Sequence, residues 1–260
     1  MSDYTNKQAA IFGSEEFDMV CIDSRKKAFT LIELLVVIAI IALLLSILLP
    51  SLKKAKQQVR MIVCRSNLKQ WGVIFNLYTQ DNDDKFYRAW RNTTVGHEWV
   101  GVTRPYYQDP KICFCPVARK VRGNFVGGMI PIEINEAWGP FAQDDTRTGY
   151  PGMAGSYGIN DWVGDPSIDN KQNPNMYWAS PLQKGATNAP LFLDALWLGG
   201  WPRDTDTPPP NETGLGGTGH MQRYCVNRHD GYINAVFVDF SVDKISLKQL
   251  HSHPIENQNT

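Results

Sequence analysis

The sequence predicts an α+β fold, with a long amino-terminal helix leading into a small antiparallel sheet with long loops. Three observations carry that expectation. Phe29–Pro50 is the single long apolar run in the chain. Apolar residues at helical spacing continue beyond it to about Tyr78. The remainder is punctuated by Gly, Pro, Asn and Asp, with short β-prone runs gathered near the carboxyl end.

The apolar run is interrupted only by Thr30, Glu33 and Ser46. As a helix it measures roughly 30 Å, the thickness of a bilayer core. A secretory signal is shorter and ends at a small-residue cleavage site. This run instead leads into Pro50-Ser51-Leu52-Lys53-Lys54. It is therefore read as a membrane helix rather than a signal or a buried core helix. Basic residues flank both ends, Arg25–Lys27 before it and Lys53, Lys54, Lys56 and Arg60 after it, so charge does not vote on orientation.

Residues 1–28 are polar, with acids followed by the basic cluster, and have neither a helical nor a strand period; they read as a leader. Formal charge balances, 26 basic residues against 26 acidic, so no global field points to nucleic acid. The 210 residues after the apolar run suffice for one sizeable domain.

Pro50 closes the lipid-thick stretch but not the helical pattern. Leu52, Ala55, Val59 and Ile62 keep the 3-4-3 spacing. A second stripe, offset by about one residue, runs through Met61, Cys64, Leu68, Trp71, Phe75 and Tyr78. The expectation is a kink at Pro50 and helix to about Tyr78, with residues 51–80 as an amphipathic continuation. Asp81, Asp83 and Asp84 then read as a solvated helix exit, because the glycine and distal Glu of a calcium loop are missing.

Lys27-Ala28-Phe29-Thr30-Leu31-Ile32-Glu33-Leu34-Leu35 resembles the processing site of type IV pilins and type II secretion pseudopilins. The resemblance implies cleavage between Ala28 and Phe29 by a prepilin peptidase at the inner membrane, with N-methylation of Phe29. The family carries Gly where this chain has Ala28. Glu33 becomes the fifth residue of the mature chain. A carboxylate in an apolar helix is expensive and is expected to serve assembly, pairing with the terminal amine of a neighbouring subunit.

Cys64-Arg65-Ser66-Asn67-Leu68-Lys69-Gln70-Trp71-Gly72 is similar to a segment of pilin-like proteins abundant in planctomycete-type bacteria. Those proteins also carry a carboxyl-terminal motif of His, nine residues and Asp-Gly. Here His229 and Asp239 keep the spacing, and Phe240 stands where the family has Gly. Gly tolerates positive φ and Phe does not, so a wider turn or one of another type is expected. Tyr232–Val238 is expected as a strand buried on both faces. Ser241–Leu247 returns beside it, with Val242 and Ile245 inward. Pro190–Ala195 reads as a strand, and Gly155–Asn160 resembles a family strand whose Tyr157, with Trp162, is read as packing. Residues 199–219, with Gly-Gly, three prolines and Gly-Gly again, read as a long surface loop.

The chain has five cysteines, Cys21 before the apolar run and Cys64, Cys113, Cys115 and Cys225 after it. The last four allow three pairings, and spacing does not choose among them. By resemblance Cys115 occupies the family's cysteine position, and a Cys64–Cys115 bridge is preferred, with Cys113 and Cys225 left to pair or stay thiols. A zinc reading through Cys113, Cys115, His251 and His253 lacks a standard spacing. His229-Asp230 invites a catalytic reading, against which stands a structural histidine capping the hairpin through hydrogen bonds to Asp239 or backbone. Neither a nucleophile motif nor a second His/Asp cluster supports catalysis, so the chain is not expected to be an enzyme.

These readings divide the chain into a leader (1–28), a transmembrane and assembly helix (29–50), its amphipathic continuation (51–80) and a soluble pilin-like head (81–260). The resemblance implies a structural subunit of a type II secretion pseudopilus or type IV pilus-like fibre. Its partners would be the prepilin peptidase, other pilin or pseudopilin subunits and the inner membrane, with no nucleic acid. The location would be the bacterial inner membrane, single-pass, with the head periplasmic and, after assembly, at the cell surface. No cofactor is expected, and calcium is left open. The alternative is a membrane-anchored binding or enzymatic domain taking a carbohydrate or metal ligand, with Trp90, Trp99, Trp178, Trp197 and Trp201 as sugar platforms.

Overall fold

The computed structural model describes residues 29–87, 98–121, 133–141, 152–166, 174–207, 209–210 and 219–250. The leader, Ala28, Cys21, Trp90, His251 and His253 lie outside the described residues. The chain divides into two compact units, Met1–Pro50 and Ser51–Thr260.

In the first unit, helix α1 (Leu31–Gln80) begins. Thr30 is its N-cap, and the local sequence explains why it starts there. The Thr30 backbone N–H donates to Glu33 Oε2 at 2.8 Å, and the Glu33 N–H donates back to Thr30 Oγ1 at 3.3 Å. This reciprocal capping box satisfies two end donors that the helix cannot pair internally. The apolar side chains from Leu34 to Leu49 are exposed, as a lipid-facing or subunit-facing surface requires. Among the described residues α1 is the one helix long and apolar enough to cross a membrane. It continues through Pro50 to Gln80, two residues beyond the expected end.

In the second unit, the two stripes of α1 have different fates. Cys64, Leu68, Trp71 and Phe75 are fully buried, whereas Leu52, Val59 and Ile62 remain exposed. The offset between them therefore marks where the helix meets the head. Gly72 makes that approach close: a Cβ there would stand 3.1 Å from the Phe240 carbonyl and 3.5 Å from Val236. Trp71 anchors the contact, with edge-on rings of Trp99 and Tyr107 at 5.1 Å and its indole N–H on the Ile112 carbonyl at 2.9 Å.

The short helix α2 (Trp99–Thr103) precedes a two-residue parallel pair, β1 (Lys120–Val121) and β2 (Glu136–Ala137). The main sheet contains β3 (Tyr157–Asn160), β4 (Pro190–Asp194), β5 (Gly199–Gly200), β6 (Tyr232–Phe237) and β7 (Val242–Ser246) in the order β5-β3-β4-β6-β7. All neighbours are antiparallel except β3 and β5. This is the α+β, pilin-like arrangement, with antiparallel pairing dominant. β3 and β4 are buried along their whole length, and β6 is buried from Ile233 to Phe237, as its unbroken apolar run implies. In β7 Ile245 is buried and Val242 only half-buried.

Two expectations are corrected here. Gly199–Gly200 is not loop but a buried edge strand. A Cβ on Gly199 would fall 2.6 Å from the Asp161 carboxylate, so glycine marks a close approach and not flexibility. The β6–β7 turn is wider than a two-residue Asp-Gly turn, as expected, but does not avoid positive φ: Phe240 adopts φ 66. Phe240 N–H donates to the Phe237 carbonyl and Phe237 N–H to the Ser241 carbonyl, both at 2.9 Å. That is a three-residue hairpin loop whose last position is left-handed. Phe tolerates it because its ring packs on the core, 6.1 Å from Phe86, and Asp239 holds the Ser241 N–H at 3.0 Å.

Tryptophans bolt the loops to this core. The indole N–H groups of Trp99, Trp138 and Trp162 donate to the carbonyls of Leu198 (2.7 Å), Tyr157 (2.9 Å) and Pro202 (2.7 Å). Trp99 and Trp178 are buried and cannot serve as sugar platforms, while Trp197 and Trp201 are half-buried.

Candidate functional site

The amino-terminal segment presents Phe29 at the start of the described chain, 68% exposed and outside the helix. Thr30 follows as the cap, and Glu33 sits one turn in. The Glu33 carboxylate takes both the backbone N–H and the hydroxyl of Thr30 at 2.8 Å. The T-x-x-E spacing is a legible sequence signal for this cap. Glu33 therefore has a local role within one chain.

The head holds a second constellation. Cys64 projects from α1, Cys115 from the loop after residues 110–113, Asp194 from the end of β4, and His229 from the segment entering β6. All four are buried, and their ligand atoms lie within 4.8 Å of one another. Cys115 Sγ is 3.3 Å from His229 Nε2, which is 3.4 Å from Asp194 Oδ2. Cys64 Sγ lies 3.7 Å from the same Oδ2 and receives the Tyr157 hydroxyl at 3.2 Å. The Asn234 N–H donates to Asp194 Oδ2 at 3.1 Å, and the Arg228 guanidinium stands 3.5 Å from Oδ1.

Arg228 organises the surroundings. Its Nε donates to the Ile134 carbonyl at 2.9 Å, and Nη2 donates to the carbonyls of Glu136 (3.2 Å) and Ala195 (3.0 Å). Its Nη1 donates to the Ser156 carbonyl. One fork thus joins β2, β3's entry and β4's exit around Asp194.

The cluster's electrostatics follow from this packing. Burial, then the hydrogen bond to Cys115 and the nearby Asp194, push the Cys64 thiol well up. Burial also opposes ionisation of Cys115, but the hydrogen bonds with Cys64 and His229 and the Arg228 charge outweigh it, bringing Cys115 down to about 7. For His229 burial works against the charged ring, and the hydrogen bonds to Asp194 and Cys115 carry it up to about 10. Burial raises Cys113 and Cys225 to about 12.

The sequence-derived site residues separate accordingly. Cys64 and Cys115 do come together, within hydrogen-bond reach of each other, and both stand as free cysteines in this structure rather than as the expected bridge. Cys113 and Cys225 are also free and buried. Cys113 neighbours Tyr107, Arg104 and Asp109 and does not join the cluster around Cys115, while His251 and His253 of the zinc reading lie outside the described residues. His229 does not cap the hairpin through Asp239. It turns to Asp194 instead, and Asp239 serves Ser241. Asp230 is exposed at φ 56 in the turn before β6. Sequence reasoning missed Asp194 and Arg228. The signal for Asp194 was a carboxylate ending an otherwise apolar strand, Pro190–Asp194.

Fold and terminus together describe a long amino-terminal helix and an α+β head, consistent with a pilin-like fold. Residues 23–49 match the prokaryotic N-terminal methylation motif, so this segment carries a prepilin-type processing and methylation signature. The match spans the processing site and the apolar half of α1, and fits an inner-membrane anchor. No curated protein and no solved structure matches the chain.

Proposed function

We propose that the chain is a structural subunit of a type II secretion pseudopilus or a type IV pilus-like fibre. Prepilin peptidase cleaves between Ala28 and Phe29, Phe29 is N-methylated, and the subunit waits in the inner membrane with its head in the periplasm. It then assembles through α1. The observation that carries this reading is the methylation motif over 23–49, lying on a helix whose apolar side chains are exposed among the described residues. Assembly exchanges lipid contacts for helix–helix contacts, which packing and polar pairing must drive because lipid is as apolar as leucine. A single carboxylate near the terminus then sets stagger, since an amine opposite Glu33 in low dielectric stabilises one register over others.

The test has two arms. Mass spectrometry of the native amino terminus is expected to find N-methyl-Phe29; a retained leader on the mature chain refutes the reading. Glu33→Val is expected to be processed but absent from fibres. Because Glu33 also caps the helix, Thr30→Ala is the control: it removes the hydroxyl half of the cap and leaves the register charge. Normal fibres or normal secretion from Glu33→Val would sink the assembly role.

A further inference from the structure

We propose that Cys64, Cys115, Asp194 and His229 form a closed structural zinc site that pins the head-bound half of α1 to the sheet. The geometry fits. Tetrahedral zinc with bonds of about 2.3 Å to sulfur and about 2.0–2.1 Å to nitrogen and oxygen sets its ligand atoms about 3.3–3.8 Å apart. The contacts at 3.3 Å (Cys115 to His229), 3.4 Å (His229 to Asp194) and 3.7 Å (Cys64 to Asp194) match three of the six edges of such a tetrahedron, and the other three separations lie within 4.8 Å.

The polar accounting points the same way. His229 Nε2 faces two acceptors, the Cys115 sulfur and Asp194 Oδ2, and one ring N–H cannot point at both. A cation between them accepts the ring's lone pair and draws in both anions. Two thiolates and the Asp194 carboxylate are balanced by zinc and the buried Arg228 guanidinium, so the interior closes at zero net charge. The supporting partners that orient metal ligands are already in place: Tyr157 on Cys64, and Arg228 and the Asn234 N–H on Asp194.

The donor set selects the metal. Two sulfurs exclude calcium and magnesium, which take oxygen. One imidazole is too few for a blue-copper centre, and two cysteines are too few for an iron–sulfur cluster. The His229 and Asp194 side chains are 1% and 0% exposed, and both cysteines are fully buried, so no position is left for water or substrate. That is the signature of a structural site and not a catalytic one. The rival use of the same sulfurs is a Cys64–Cys115 disulfide, which would leave His229 beside Asp194 without a metal.

The experiment uses the full-length chain purified in detergent under reducing conditions, with metal measured by plasma mass spectrometry. The expected result is about one zinc per chain. Replacement by cobalt should give the visible ligand-field bands of a tetrahedral ion together with sulfur-to-cobalt charge transfer. Chelation should expose Cys64 and Cys115 to alkylation. Cys115→Ser and His229→Gln should lose the metal, while Cys113→Ser and Cys225→Ser keep it. If the ligand variants fail to fold, the cobalt spectrum and stoichiometry of the unaltered chain decide. Folded, reduced protein that takes up no zinc overturns the proposal. So does a cobalt spectrum lacking sulfur charge transfer, or a metal-free native chain with Cys64 bridged to Cys115. None of these outcomes touches the amino-terminal processing reading.

Discussion

Replacing Arg228 tests how the head is held together. Its side chain is wholly buried and reaches four backbone carbonyls and Asp194 through all three guanidinium nitrogens. In Arg228→Met the thioether fills part of the volume, but those acceptors lose their donors and Asp194 loses its charged neighbour. Breaking a buried pair by removing one partner costs about 3–5 kcal/mol. For a head of this size that corresponds to a fall in Tm of about 6–20 °C. Arg228→Lys is the sharper variant. It keeps the charge beside Asp194, but a compact ammonium with three donors cannot span carbonyls contributed by Ile134, Glu136, Ser156 and Ala195, so it should still cost about 2–3 kcal/mol. Urea unfolding of the detergent-solubilised chain, followed by tryptophan fluorescence, reads both values because the buried indoles Trp71, Trp99 and Trp138 lie in the head core. Metal content must be held fixed, with chelator and with zinc in separate series, since a ligand bound only to the native state adds its own stability. If Arg228→Lys unfolds like the unaltered chain, the fork geometry is irrelevant and only charge matters. If Arg228→Met costs less than about 1 kcal/mol, the assignment of Arg228 as the clasp of the head is wrong.

Two further predictions rest on single residues. At the β6–β7 turn, Phe240→Ala should destabilise by about 1–2 kcal/mol through loss of the ring packed near Phe86, while the left-handed backbone stays strained. Phe240→Gly removes the same ring but relieves the strain, so it should be more stable than the alanine variant by about 1 kcal/mol in the same urea assay, and the opposite order would refute the strain argument. His220 Nδ1 accepts the Trp201 backbone N–H at 2.9 Å, and burial, with Arg223 adding, lowers the ring to about 4. The unfolded chain, with its ordinary imidazole, therefore binds the extra proton between about 6.5 and 4. The His220 contribution is full above about 6.5 and is lost as pH falls toward 4. His220→Asn should flatten that part of the stability–pH curve, and an unchanged slope would show that the ring is not held neutral.

The amino-acid sequence alone was enough for most of what depends on local order. Length and hydropathy define the apolar helix, and the stripe from Cys64 to Phe75 the face that meets the head; the Thr30-x-x-Glu33 spacing encodes the cap too, but the sequence reading gives Glu33 only an assembly charge. Continuous apolar runs define β4 and β6, because burial on both faces removes the need for alternation. Glycine at 199 and 200 misled, since a tight backbone approach and a flexible loop use the same residue, and only the neighbour at Asp161 tells them apart. Phe240 misled for a related reason: its intrinsic cost at positive φ is about 1–2 kcal/mol, which packing against the core can offset.

What only the tertiary structure decided is the company kept by residues far apart in the chain. Cys64, Cys115, Asp194 and His229 come from four separate elements, and no spacing rule links them. His229 was legible as special and Cys115 as the cysteine to pair with Cys64. That the two meet each other, around a carboxylate at the end of β4 and under the fork of Arg228, follows from how the helix and sheet pack. The apolar helix needed no such information, because a bilayer or a bundle of like helices reads only the order of side chains along one chain.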